Sequence, residues 1–247
     1  MLVAVVGIAF AWSKKGGDFK SAPVVTSTVE PFKYSVEEKD VLRRVADVFQ
    51  KAMMNERVII SGSIDYTDPA DTAGSVHQEF KYCRKDNMCY YKTDSNEVIA
   101  LEDVYVVINH TSRQIYLAPP RKVEAPLTVP NDSLINTWQQ DGYKLTMAGA
   151  GEDSLVQLKC DNHISCKLYG YKLNFTTGKI SEINLRMTDL DDPLNPAADK
   201  VYHCPISRWE VGKADDDLFV KHRYLIKKDN GYVPAKQYAD YELINKL

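Results

Sequence analysis

The chain lacks the short motifs by which most enzymes can be recognised. It has no Gly-x-Ser-x-Gly, no His-Glu-x-x-His, no glycine-rich phosphate loop and no dinucleotide fingerprint. A nucleophile elbow, a zinc-protease centre and a nucleotide site are therefore all unsupported, and catalysis is not expected. It also lacks an excess of one charge. Its 31 basic and 34 acidic side chains leave a net charge of −3, which gives no electrostatic footprint for nucleic acid. No apolar run reaches the roughly 20 residues that a membrane-spanning helix needs. Cysteine is limited to five and glycine to twelve, against fifteen tyrosines, a balance that suits a strand-rich protein.

The few cysteines are arranged suggestively. Cys83-Arg-Lys-Asp-Asn-Met-Cys89 and Cys160-Asp-Asn-His-Ile-Ser-Cys166 share one spacing around a turn-prone centre. If each pair meets across a hairpin, Cys83 bonds Cys89, Cys160 bonds Cys166, and Cys204 stays free. Such disulfides persist only in an oxidising compartment. The apolar residues 1–12 point the same way, because Ala9-Phe10-Ala11 has the small-x-small form of an export cleavage site. Residues 1–11 are thus expected to be an export signal, or alternatively the end of a truncated membrane anchor flanked by Lys14 and Lys15. Residues 12–34, with Gly16, Gly17 and Pro23 and no periodicity, are expected to be a flexible tether. Residues 35–247 contain nothing like a linker and are expected to form one domain.

The first regular element announces itself by a capping box. In Ser35-Val-Glu-Glu38 the hydroxyl and the carboxylate can each satisfy a backbone N–H that has no partner inside the helix. Val41, Leu42, Val45, Val48, Phe49 and Ala52 then recur at three and four residues and draw one apolar stripe. Beyond it the period changes to two. Val58, Ile60, Ile64 and Tyr66 form one set, Phe80 and Tyr82 a second, and Val104, Val106 and Ile108 a third. Asp86-Asn87, residues 109–112 and Thr176-Thr-Gly178 suit tight turns between antiparallel strands.

Prolines between 119 and 130 interrupt the sheet, and Asn131-Asp-Ser133 predicts the cap of a short helix carrying Leu134, Ile135 and Trp138. Strands resume at Tyr143. The clearest hairpin joins Tyr169, Tyr171, Leu173 and Phe175 to Ile183, Leu185 and Met187. A last pair of strands is expected over residues 218–226 and 238–244. Other constellations point nowhere in particular. Asp189-Leu-Asp-Asp192 and Asp215-Asp-Asp217 lack the spacing of a calcium loop. Cys160, His163, Cys166, His203 and Cys204 lack the two-to-four-residue gap of structural zinc sites. No metal or cofactor is expected. Sequons stand at Asn109, Asn131 and Asn174, and matter only if the chain passes through a eukaryotic secretory pathway.

Helix, strands, short helix, strands is the order that a highly curved antiparallel sheet, a half-barrel with helices packed on its concave face, would give; the class is α+β. Two stretches, Asn96 to Leu117 and Tyr143 to Met187, resemble the strand-and-turn units of the LolA/LolB-type periplasmic lipoprotein carriers. The family's Arg-Pro-x-x-Phe-Arg-Trp stretch has no counterpart, Cys89-Tyr-Tyr91 standing roughly in its place. The resemblance implies an exported periplasmic protein, free or tethered by its N-terminus. It also implies a non-catalytic carrier that shelters a lipid, or the acyl chains of a lipidated protein, in an apolar cavity. Tyr169, Tyr171, Leu173, Phe175, Ile183, Leu185 and Met187 are the expected lining. Two alternatives remain open: these residues pack a dry core under the first helix, or the same fold holds a protein partner in an envelope complex.

Overall fold

The computed structural model describes residues 32–121, 123, 132–229 and 231–246. The expected signal or anchor at 1–11, and all but the last three residues of the expected tether, lie outside them. Tyr34, at the end of that tether, is buried, and its hydroxyl donates to the Tyr143 carbonyl at 2.8 Å, so it is part of the folded unit.

Helix α1 (Val36–Met54) starts where the capping box places it. The Glu38 N–H donates to the Ser35 hydroxyl at 3.1 Å and the Ser35 N–H donates to the Glu38 carboxylate at 2.7 Å. Its buried residues Leu42, Val45, Val48, Phe49 and Ala52 belong to the stripe read from the sequence. Six strands follow: β1 (Arg57–Thr67), β2 (Val76–Lys85), β3 (Met88–Thr93), β4 (Asn96–Ala100), β5 (Tyr105–Asn109) and β6 (Gln114–Ala118). After the short helix α2 (Asp132–Gln140) come β7 (Lys144–Ala150), β8 (Asp153–Lys159), β9 (Cys166–Asn174), β10 (Lys179–Met187) and the long β11 (Lys200–Val211). A small separate hairpin, β12 (Leu225–Lys228) and β13 (Gly231–Pro234), precedes the terminal β14 (Glu242–Asn245).

Twelve strands form one open, curved sheet in the order β14-β6-β5-β4-β3-β2-β1-β11-β10-β9-β8-β7. Every neighbouring pair is antiparallel except β14 with β6. Hairpins can supply the antiparallel pairs, whereas a parallel neighbour requires a long crossover, and residues 119–241 separate β6 from β14. Where β1 meets β11 the register shifts at Ser61/Gly62. A Cβ at Gly62 would lie 2.1 Å from the Pro205 carbonyl oxygen, so only glycine admits that approach.

Each face of the sheet carries its own core, because successive side chains on a strand point to opposite sides. Val58 and Ile60 point to the inner face under α1 and α2, while Ile59 between them points to the outer face. The outer core joins Ile99, Val106, Ile108, Ile115 and Leu117 to Leu218, Phe219, Tyr224, Leu225 and Tyr238. The C-terminal segment is therefore a strap across the back of β2 to β6. This differs from the strand pair expected there. Leu218 and Phe219 sit in a 3-10 turn, β12 pairs with β13, and Ile244 pairs with Tyr116 at the sheet edge.

The cysteines differ too. All five are free thiols. The turn at Asp86-Asn87 is a two-residue turn with Lys85 facing Met88, so Cys83 faces Tyr90 and Cys89 faces Arg84. A slip of one residue moves a side chain to the other face: Cys83 lies in the outer core and Cys89 in the inner one. At the second pair the Cys160 N–H bonds the Lys167 carbonyl, again one residue out of step. The Cys160 thiol donates to the Asp141 carbonyl at 3.4 Å and the Cys166 thiol to the Leu168 carbonyl at 3.2 Å.

Candidate functional site

The inner face is where the sequence placed a cavity, and the structure brings all seven expected lining residues onto it. Tyr169, Tyr171, Leu173, Ile183 and Leu185 are buried in the inner core, with Phe175 and Met187 packed at its margin. Register places Leu185 opposite Tyr169 and Ile183 opposite Tyr171, so β9 and β10 present one apolar surface. Helices cover it. The Phe49 ring of α1 meets Tyr171 edge-on at 5.5 Å and Trp209 at 5.9 Å, and Trp138 of α2 lies 5.5 Å from Tyr169.

Specific polar contacts hold the two ends of α1. Beyond its C-terminal end, Arg84 on β2 donates to the carbonyls of Met53 at 2.6 Å, Ala52 at 3.3 Å and Asn55. A guanidinium here satisfies carbonyls that have no partner within the helix and complements the negative end of its dipole. Before its N-terminus, the Tyr34 N–H donates to Gln139 of α2 at 3.2 Å, alongside the Tyr34–Tyr143 bond. Sequence reasoning missed Arg84, since nothing in its neighbours signals a contact with residues some thirty positions earlier.

Concavities among the described residues open to solvent. A cleft of about 330 Å³ runs between α1 and the β9–β10 turn, with Arg44, Asp47 and Lys51 on one side, Thr176 and Thr177 on the other, and Phe175 and the buried Val48 at its floor. The Arg44 guanidinium stacks 4.0 Å above the Phe175 ring and stands at the point where the inner face meets water. A larger groove of about 560 Å³ is of mixed character, lined by Ser61, His77, Glu79 and Lys81 but also by Phe80 and Ile206. There Lys81 is tied to Asp215 at 2.6 Å, at the start of the strap.

Among the described residues, three buried polar atoms in or against the inner core have no hydrogen-bond partner: Tyr91 Oη, Trp138 Nε1 and Trp209 Nε1. The two tryptophans are only 2% and 4% exposed, so water does not reach them freely. Burial pushes the phenols of Tyr91, Tyr169 and Tyr171 up, which keeps them neutral and able to donate. The five residues weighed as zinc ligands do not converge. His163 accepts from the Cys166 N–H at 3.1 Å, whereas His203 is bonded to Asn184 at 2.8 Å, and among the described residues no three His, Cys, Asp or Glu side chains gather as a metal site. No described helix is long and apolar enough to cross a membrane.

No family model and no curated protein matches the sequence. Solved structures do. An uncharacterized conserved protein from Thermus thermophilus matches with a TM-score of 0.40 at 7% identity, over 85% of this chain and 99% of that one. A LolA superfamily protein from Nitrosomonas europaea matches with a TM-score of 0.32 at 10% identity, over 76% and 99%. A putative outer membrane lipoprotein-sorting protein domain from Vibrio parahaemolyticus matches with a TM-score of 0.29 at 7% identity, over 73% and 97%. At these scores the likenesses say nothing of cargo or partner.

Proposed function

We propose that the protein is a non-catalytic, exported carrier of the cell envelope that holds a lipid, or the acyl chains of a lipidated protein, between α1 and the inner face of the sheet. The observation that carries this reading is the set of unpartnered polar atoms on Tyr91, Trp138 and Trp209 within an otherwise apolar face. An unmade hydrogen bond at a buried donor costs about 1–3 kcal/mol, so the helix-closed form is less stable than a fully satisfied core. An acylated ligand offers what this face lacks. Its ester or amide oxygens can accept from the indoles, and each methylene it buries contributes about 0.8 kcal/mol. α1 acts as the removable cover, its apolar stripe parting from the sheet while Arg84 and Tyr34 tether its two ends. The cleft beside Phe175 is the route by which a chain reaches the interior, and Arg44 and Lys51 flank it with positive charge.

The test is direct. A fluorescent fatty-acid probe should brighten on binding and be displaced by unlabelled lipid, and mass spectrometry of organic extracts should recover lipid from the purified protein. Leu173→Glu and Leu185→Glu each put a carboxylate into an apolar volume at a cost of several kcal/mol unless it takes up a proton, and should abolish probe binding. Lys179→Glu, on the exposed start of β10, should not. Probe binding that survives both inner-face changes in folded protein would favour the other role for this fold, a scaffold that holds an envelope protein.

A further inference from the structure

The two edges of the sheet are unlike. At one, β14 has only four residues and carries Glu242, and a short, charged strand is a poor template for further pairing. At the other, β7 runs for seven residues, Lys144-Leu-Thr-Met-Ala-Gly-Ala150, and among the described residues bonds only to β8. It has none of the features that usually block an edge: no proline, no register shift against β8, and a single charge at one end. Residues 146–149 are exposed, and a Cβ at Gly149 would meet nothing within 4 Å. Met147 faces Val156 and Leu145 faces Leu158, so both continue the inner core to the rim, yet Met147 remains 53% exposed.

We propose that β7 is an interface and that its occupant is β7 of a second copy, paired antiparallel about Met147. That register is self-complementary. Met147 faces its mate on the inner side, Leu145 faces Gly149, Thr146 faces Ala148, and Lys144 faces the neutral Ala150 of the other copy. No like charges meet, and the exposed methionines cover each other. Because among the described residues only one edge of the twelve-stranded sheet is open in this way, the pairing closes as a twofold dimer and does not propagate into a fibre. One strand pair buries less than the about 1,200 Å² of a standard stable interface, so the dimer is a weak one.

Sedimentation velocity of the full chain across about 1 µM to about 1 mM, the range in which weak complexes form, reads the proposal. The weight-average mass should rise toward two chains, and amide exchange at residues 144–150 should slow as concentration rises. Met147→Lys places a charge on the twofold axis, where two ammonium groups would face each other, and should weaken association at least tenfold while leaving the circular dichroism spectrum and melting temperature unchanged. Ala148→Pro, checked for folding in the same way, provides a second block on pairing. A mass that stays at one chain throughout overturns the proposal. So does a dimer indifferent to both substitutions, growth beyond two chains, or protection of β7 that does not vary with concentration, which would mean that the edge is covered within one chain.

Discussion

Val45→Asp tests whether α1 is held to the sheet by its stripe. Val45 is 1% exposed and lies in the inner core with Leu42, Val48 and Phe49. Losing the buried valine forfeits about 1.5–3 kcal/mol, and the new carboxyl adds several kcal/mol of desolvation unless it is protonated. A total of about 4 kcal/mol lowers the melting temperature of a chain this size by about 8–16 °C. The neighbouring Arg44→Asp removes only the stacking on Phe175, worth about 0.5–1 kcal/mol at an exposed site, and should cost about 1–4 °C. Calorimetric melts at pH 7 and pH 5 supply the comparison. A buried carboxyl has a raised folded-state pKa, so the deficit of Val45→Asp should shrink from pH 7 to pH 5, because the folded state takes up a proton that the unfolded state, with a carboxyl pKa of about 3.9, does not yet bind. Equal melting temperatures for the two variants would show that the stripe does not hold the helix.

Thiol titration of the denatured, unreduced protein should find five thiols, and three or fewer would restore a disulfide; in the native state at pH 8 Cys160 should react first, because burial pushes Cys89, Cys166 and Cys204 up to about 12 and the other four thiols are buried. Asp199→Ala strands the Lys167 ammonium, which is 1% exposed and bonded to Asp199 at 2.7 Å, and should cost about 3–5 kcal/mol in urea unfolding. The Lys167→Met, Asp199→Leu pair should recover most of that loss, and a double variant no more stable than the single would refute the coupling. Burial works against the ionised form of Asp215, but hydrogen bonds from Lys81 and Arg208 outweigh it and hold the carboxyl below the usual range. The stability this adds is complete above the unfolded-state value of about 3.9 and is lost as pH falls through the lower folded-state value. Asp215→Asn should therefore flatten the acid limb of the stability profile, and an unchanged limb would show that Asp215 does not anchor the strap.

The parts of this protein that were legible in its sequence are those set by near neighbours. The capping box at Ser35, the stripe of α1, the turn at Asp86-Asn87 and the hairpin around Thr177-Gly178 each depend on residues within a turn or two of one another. Period-two patterning also identified the apolar set of β9 and β10 and the curved antiparallel sheet they enter. Tertiary structure decided the rest. Whether Cys83 can meet Cys89 depends on one residue of hairpin length, and the spacing of the cysteines is compatible with either turn; the two-residue turn sends them to opposite faces. Apolar residues in the last thirty positions read as strands, yet most of them pack flat against the back of β2 to β6, because that face is as apolar as the front and must be covered by something. The parallel partner of β6 and the Arg84 clasp on α1 are pairings between distant segments, which carry no local signature at all. The same holds for the unpartnered indoles of Trp138 and Trp209. Their residue type is written in the sequence, but only packing determines that no acceptor reaches them.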